Sequence, residues 1–341
     1  MAPDLATPAG WLPVVFMSLM GVALLLYVVL DGYDLGVGIL LRGGTDDEKD
    51  VMVSSIGPFW DANETWLVLG IGILLVAFPL AHGVVLSSLY LPVVLMLIGL
   101  TLRGVAFDFR VKVHASHKPL WNNLFWAGSW LTAGSQGWML GSYITGFSTS
   151  LAARGFALLT TLCVPAAYAL LGSGWLLIKT SGALQAKAVH WARRAWWGAL
   201  AGFLAVSAVS PLVSERIFNK WFSLPYVVLL LPLPIVTIAL LLIAARALRR
   251  LPVRMAQGND YGAWVPFGCT VGVIVLGFYG LAYSLFPYLV IDRITIWEAA
   301  SAPESLMVIL VGALVVLPAI LGYTLYVYRV FRGKAQPLTY G

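Results

Sequence analysis

Two pairs of carboxylates interrupt otherwise apolar stretches of this sequence. Asp31 and Asp34 stand near the end of the first apolar run, and Asp61 and Glu64 stand near the beginning of the second. The members of each pair are three residues apart, a spacing that places them on one face of a helix. Ionisable groups inside apolar helices are costly and are typical of proton relays. These pairs therefore predict proton transfer, without bond-making catalysis.

Arg103 and Asp108 add two charges near the end of the third apolar run. We predict that they converge with the two carboxylate pairs on the cytoplasmic ends of three helices and form a polar intake there. Asp61 and Glu64 are expected one turn inside their helix, with Pro58 in its first turn, where a missing N–H does no harm.

A structural role for the same acids stays open as the alternative. In that interpretation they cap helix ends, or they form ion pairs at the membrane interface with Arg42, Arg103 or Arg110. This role suits the acids nearest the helix ends better than the pair near the start of the second run.

The composition excludes most classes of soluble protein. The chain has 341 residues, of which 60% are hydrophobic and 11% charged, with a mean hydropathy of +0.88. Soluble domains are about 45–50% apolar and about 25% charged. The composition predicts one membrane-embedded domain over 1–341. The net charge of +6 does not indicate nucleic-acid binding, because the basic residues lie in short clusters between apolar runs.

Nine apolar runs are long enough to cross a bilayer, which takes about 20 residues. They are 11–30 (reaching as far as 41), 57–79, 84–107, 121–147, 156–178, 196–213, 224–245, 264–290 and 306–331. They lack the period-two alternation of membrane strands, so we expect an all-α polytopic bundle without strands. Gly32 and Gly36, four apart, predict a close approach of the first helix to a neighbour.

The charges of the loops predict the orientation. With nine spans, 16 of the 21 Lys and Arg residues fall on one side and four on the other. Basic residues favour the cytoplasmic side, so we predict a periplasmic N-terminus and a cytoplasmic C-terminus. Segments 179–194 and 246–254 are expected to be cytoplasmic loops, and the acidic run 46–50 a solvated connection.

Candidate metal and haem ligands are scarce. The four histidines, His82, His114, His117 and His190, are all expected in loops, so no span offers the usual axial ligand of a membrane haem. The cysteines do not form a CxxC motif. We therefore expect no haem and no metal site in this chain.

Four blocks of sequence carry a resemblance to a known family. They are LDGYDLGVG at 30–38, GPFWDANETW at 57–66, RGVAFDFR at 103–110, and the pair at 286–287 with TIWEAAS at 295–301. Together they resemble the signature blocks of subunit II of cytochrome bd-type quinol oxidases, from the first helix to the last. Glu64 stands where some members of that family have Gln.

The resemblance implies a multi-pass subunit of a respiratory terminal oxidase in a bacterial inner membrane, which couples quinol oxidation to the reduction of oxygen to water. It implies a partner, subunit I, that carries haem b and haem d, while subunit II binds no haem. It places Asp61 on a proton path from the cytoplasm, with Asp34 and Asp31 as neighbours. It also implies membrane lipid, a structural quinone and small accessory subunits as companions, without assigning residues to them.

Two other functions compete with the oxidase. A proton-coupled secondary transporter would use the same acids as its relay, and such folds have broken helices. Gly128, Gly134 and Gly137 are expected to interrupt the fourth span, which favours this alternative. A purely structural scaffold does not explain paired acids within apolar runs.

Overall fold

The computed structural model describes residues 4–335, apart from the side chain of Ala115, and most of this chain is helical. The first half consists of α1 (Pro8–Leu40), α2 (Asp46–Ile56), α3 (Trp60–Ala77), α4 (Pro79–Ser88), α5 (Tyr90–Lys112), α6 (Lys118–Ile144) and α7 (Leu151–Lys179). Short 3-10 helices follow α1 and α5, at Leu41–Gly43 and Ala115–His117. Both chain ends lie outside the described residues, so their sides of the membrane stay predictions.

The second half consists of α8 (Gly182–Val213), α9 (Glu215–Phe222), α10 (Tyr226–Leu230), α11 (Pro232–Ala256), α12 (Val265–Leu285), β1 (Tyr288–Val290), β2 (Ile294–Thr295), α13 (Ile296–Ala299) and α14 (Pro303–Val330). The strands β1 and β2 pair antiparallel, with Tyr288 opposite Thr295. The expectation of a chain without strands was wrong here, because Pro287, two residues after the end of α12, cannot continue a helical hydrogen-bond ladder.

Eight helical segments among the described residues are long and apolar enough to cross a bilayer. They coincide with eight of the nine predicted runs and confirm an all-α membrane fold. Helices suit this environment because they satisfy every backbone polar group internally. The remaining run coincides with α6, which has 27 residues but is not among the eight, since Asn, Gln, Ser and Thr reduce its hydropathy. The count of nine crossings stays a prediction.

Several predicted loops are helical. α8 begins at Gly182 and α11 continues to Ala256, so both basic segments expected as loops belong to long helices. The acidic run lies in α2, which begins with a capping box between Thr45 and Glu48. The third run is divided at Leu89 into α4 and α5. A hydropathy window misses such segments because it registers apolar content, whereas helices continue beyond the apolar stretch.

The chain divides into two compact units, and the division falls within α1. The first unit comprises 4–31, 58–88 and 285–332. Its core joins Ala23 and Tyr27 of α1 to Trp66 of α3, with Leu317 and Ile320 of α14 packed against them.

The second unit comprises 32–57, 89–284 and 333–335. Its helices approach closely at glycines. A Cβ at Gly99 of α5 would lie 2.8 Å from the Gly128 carbonyl oxygen of α6, and a Cβ at Gly137 would lie 2.4 Å from the Thr160 carbonyl oxygen of α7. The prediction of one domain over 1–341 stays a prediction.

Candidate proton-transfer site

Asp31 and Asp34 lie in the interior of α1, and both side chains are 0% exposed. The helix continues to Leu40, so neither acid caps a helix end, and the capping interpretation was wrong for this pair. Their spacing places them on one face of the helix. A carboxyl group removed from water must be hydrogen-bonded, paired or protonated. This pair therefore has the burial that a proton-transferring group in the membrane requires.

The segment of α1 that carries Asp34 is held firmly within the second unit. Tyr33 stacks on Trp175 of α7, with ring centroids 4.2 Å apart. The Trp175 indole Nε1 donates to the carbonyl oxygen of Ser55 at 3.1 Å. These contacts connect the start of this segment to both α7 and α2, which fixes the rotation of the helix at its buried acid.

Two glycines bring this segment of α1 into backbone contact with α7. A Cβ at Gly36 would lie 1.8 Å from the Tyr168 carbonyl oxygen, and a Cβ at Gly172 would lie 2.3 Å from the Gly36 carbonyl carbon. At Gly32, a Cβ would lie 2.8 Å from the Tyr168 ring. The predicted close approach at Gly32 and Gly36 is confirmed.

Asp61 and Glu64 lie nearer the end of their helix than expected. α3 begins at Trp60, so Asp61 is in its first turn and Pro58 lies in the preceding turn, outside the helix. Asp61 is exposed and Glu64 is half-buried. An acid in a first turn is stabilised by the helix dipole. The expectation of a position one turn inside the helix was wrong for Asp61, whereas Glu64 does lie one turn inside α3. A stabilising role at the helix start fits Asp61 as well as a relay does.

Asn63 is a buried polar residue that the sequence analysis missed. It is 1% exposed, its Nδ2 donates to the Leu30 carbonyl oxygen at 3.4 Å, and its Oδ1 accepts from the Tyr328 hydroxyl at 3.2 Å. The Tyr328 ring in turn packs on Phe59, with centroids 4.5 Å apart. Asn63 therefore joins α1, α3 and α14 beside Asp31. An amide between two acids in a membrane helix is a usable signal in the sequence, because a buried amide needs hydrogen-bond partners.

Arg103 and Asp108 do not share an environment. Arg103 is 1% exposed, whereas Asp108 is exposed. Five positions along a helix correspond to about 140° of rotation, so the two side chains leave α5 on different faces. Arg103 therefore belongs to the interior of the second unit and Asp108 to its surface.

The interfacial arginines have partners other than the candidate acids. Arg110 is buried, its Nη2 lies 2.6 Å from Asp50 Oδ1, and its Nε donates to Asn122. The Arg42 guanidinium lies 3.5 Å from the centroid of the Trp126 ring. The acidic run thus supplies the partner of a buried arginine. Its interpretation as a solvated connection was wrong for Asp50, while Asp46 and Asp47 are exposed.

Asp46 and Glu48 of the acidic run are also bound by lysines. Glu48 Oε2 lies 2.6 Å from Lys187 Nζ, and Asp46 Oδ1 lies 2.8 Å from Lys49 Nζ. The Lys187 ammonium lowers the pKa of Glu48, and the Lys49 ammonium lowers the pKa of Asp46. As a carboxylate, Glu48 joins α2 to α8, whereas the pair of Asp46 and Lys49 lies within α2.

The six charged residues that are predicted to converge are divided between the two units. Asp31, Asp61 and Glu64 belong to the first unit, while Asp34, Arg103 and Asp108 belong to the second. The polar intake therefore stays a prediction.

The broken helix that would favour a transporter is not present in the fourth predicted span. α6 runs without a break from Lys118 to Ile144. Gly128 and Gly137 lie in its packed faces against α5 and α7, and Gly134 continues the same helix. The expectation that these glycines interrupt the span was wrong.

Comparison with known proteins decides the family. A sequence model of the family described as cytochrome bd terminal oxidase subunit II matches residues 12–331. The chain belongs to this family. It is 28% identical over 342 residues to cytochrome bd ubiquinol oxidase subunit 2 of Bacillus subtilis (strain 168), which covers 92% of this chain and 95% of that one.

The chain is also similar to two further bd oxidase chains. Cytochrome bd-I ubiquinol oxidase subunit 2 of Escherichia coli (strain K12) is 37% identical over 113 residues, which is 33% of this chain and 29% of that one. A solved bd oxidase chain from Geobacillus thermodenitrificans shares the fold, with a TM-score of 0.74 and 16% identity, over 94% of this chain and 98% of that one.

Oxidases of the cytochrome bd family contain haem, so the histidines of this chain matter. His82 lies half-buried in α4, His190 lies exposed in α8, and His117 ends a 3-10 helix, so the expectation that all four histidines occupy loops was wrong for these three. His114 and His117 are exposed, and none of the four is buried. No cluster of three or more His, Cys, Asp or Glu side chains within residues 4–335 could hold a metal ion. An axial ligand lies inside a haem pocket, so these histidines do not fit that role.

Proposed function

We propose that this chain is the haem-free subunit II of a cytochrome bd-type quinol oxidase in a bacterial inner membrane. Its partner is subunit I, which holds haem b and haem d, and the complex oxidises quinol and reduces oxygen to water. The family match over residues 12–331 and the names of the relatives support this proposal. The haems supply the electron transfer and oxygen chemistry; this chain contributes proton delivery.

The observation that carries the proton path is the pair of fully buried carboxyls, Asp31 and Asp34, on one face of α1. Buried acids inside membrane helices are costly and are typical of proton relays. We assign them the interior part of a path that starts from the cytoplasm. Asp61 is exposed on this chain, and we assign it to a stretch of the path that the partner subunit covers.

The remaining charged residues have supporting roles in this proposal. Glu64 lies one turn after Asp61 and offers a second carboxyl on the same face of α3. Arg103 is buried and supplies positive charge within its unit, and Asp108 offers an exposed acid on α5. A structural quinone and small accessory subunits complete the proposed complex.

The first experiment replaces Asp61 and Asp34 by Asn in the assembled oxidase. Asp61→Asn and Asp34→Asn keep the shape of the side chain and remove its titratable proton. We expect oxygen consumption per mole of assembled haem to fall by roughly tenfold or more, since about 1.4 kcal/mol added to a barrier corresponds to a factor of ten. Asp61→Glu should retain more activity than Asp61→Asn because it keeps an acid.

Asp47→Asn is the matched control, because Asp47 is exposed in α2 and outside the proposed path. It should leave the rate per haem unchanged. A structural role for Asp61 predicts instead that haem assembly and total activity fall together, so that the rate per haem stays constant. An assembled Asp61→Asn oxidase that turns over at the parent rate removes Asp61 from the path.

A further inference from the structure

A cavity of about 600 Å³ opens in the second unit between the first turns of α8 and the last turns of α11. Its lining includes Gln185, His190 and Arg193 of α8 and Asp260 of the loop after α11. Arg193 is fixed at this position, because its Nε and Nη2 donate to the Leu248 carbonyl oxygen at 3.2 and 2.8 Å. A guanidinium has five N–H donors, so these two bonds orient it without using all of them.

Positive charge dominates the surroundings of this cavity. Neither α8 nor α11 contains an Asp or Glu residue. Arg193 lines the cavity. Five further exposed arginines lie on the same two helices outside the cavity lining: Arg194, Arg246, Arg249, Arg250 and Arg254. None of the six forms an ion pair with any residue in the described part of the chain. The acid in the lining, Asp260, is bound by Lys334 Nζ at 2.6 Å, which compensates its charge. The cavity therefore suits an anion.

An exposed apolar surface continues from these arginines along the same two helices. Trp197 and Leu204 of α8 are exposed, as are Ile238 and Leu242 of α11. Trp196 joins the helices at this level, because its Nε1 donates to the α11 backbone at 3.0 Å. Indole rings favour the headgroup level of a bilayer. A cationic cavity followed by an apolar stripe matches a phosphate group followed by acyl chains.

We propose that this cavity binds the phosphate headgroup of an anionic phospholipid, whose acyl chains lie along the exposed apolar faces of α8 and α11. Arginine suits the phosphate group because its planar fork can form two parallel hydrogen bonds. Basic pockets between membrane helices are typical sites for anionic headgroups. The lining of this site includes none of the candidate acids, and the proposal does not depend on the proposed oxidase function.

The test measures lipid binding by the full-length chain, purified in detergent with its partner and stripped of native lipid. Short-chain phosphatidylglycerol and phosphatidylcholine are added back separately, and native mass spectrometry measures the affinity of the first bound lipid. We expect phosphatidylglycerol to bind at least about tenfold more tightly. Arg249→Gln with Arg250→Gln should weaken it by roughly tenfold, since each basic residue near a headgroup contributes measurably.

Arg249 and Arg250 are changed instead of Arg193 because Arg193 also joins α8 to α11, so that its removal would affect folding. The control pair, Arg154→Gln with Arg293→Gln, removes the same charge from exposed positions elsewhere and should leave the affinity unchanged. Equal binding of both lipids, or an equal loss in the control pair, overturns the proposal. Inorganic phosphate that displaces the lipid at equal concentration assigns the cavity to a soluble anion and also overturns it.

Discussion

The contact between α1 and α7 at Gly36 offers the sharpest test of how the buried acid Asp34 is positioned. A Cβ at Gly36 would lie 1.8 Å from the Tyr168 carbonyl oxygen and 2.8 Å from the Gly172 nitrogen. A real Cβ atom does not come within 3.0 Å of another heavy atom. Gly36→Ala must therefore separate the two backbones by about 1.2 Å, the difference between 3.0 and 1.8 Å. The obstacle is backbone of a helix rather than a flexible side chain, so it cannot be relieved by a rotamer change.

The expected cost of Gly36→Ala is about 1–3 kcal/mol, the range for overpacking a filled interior. The separation also loosens the stacking of Tyr33 on Trp175, which holds the rotation of α1 beside Asp34. We therefore expect a lower thermal midpoint of the detergent-solubilised complex and a lower rate of oxygen consumption per haem. Fluorescence-detected size-exclusion chromatography after heating measures the midpoint.

Gly155→Ala is the control, because Gly155 lies within α7 and a Cβ there meets nothing within 4 Å. In a helix interior Ala is favoured over Gly by roughly 0.5–1 kcal/mol, so this variant should be neutral or slightly stabilised. If Gly36→Ala has the same midpoint and the same rate per haem as Gly155→Ala, the helices do not meet as described and the reasoning fails.

Two further predictions concern the ion pairs of α2. Asp50→Asn should lower the free energy of unfolding by about 1–2 kcal/mol, because it leaves the buried Arg110 guanidinium without its carboxylate partner. The cost is limited because Asp50 is itself partly exposed to solvent. An unchanged thermal midpoint contradicts this prediction. Glu48→Gln should destabilise the protein at neutral pH only. Lys187 holds the pKa of Glu48 below its ordinary 4.5, so the pair stabilises the folded state above that pH and loses its effect as the pH falls through the lowered value. Melting curves of parent and variant should converge in acid, and a difference independent of pH rejects the assignment.

The all-α membrane architecture, the approximate position of each apolar helix, and the approach of α1 to its neighbour at Gly32 and Gly36 could all be predicted from the amino-acid sequence. These properties are local: a span needs about 20 apolar residues, its backbone must be satisfied within the segment, and small residues permit close contact. The motif blocks around Asp31, Asp34, Asp61 and Glu64 also identified the family without any structure.

Tertiary structure alone decided which of the candidate residues are buried. Asp31 and Asp34 are enclosed while Asp61 and Asp108 are exposed, although all four lie in or beside apolar runs. Burial depends on which faces of separate helices meet, and hydropathy along one helix does not contain that information. For the same reason no sequence pattern predicts that Asp50 pairs with Arg110, 60 positions away. Partners across such distances are chosen by packing, which brings together residues whose spacing in the chain carries no signal.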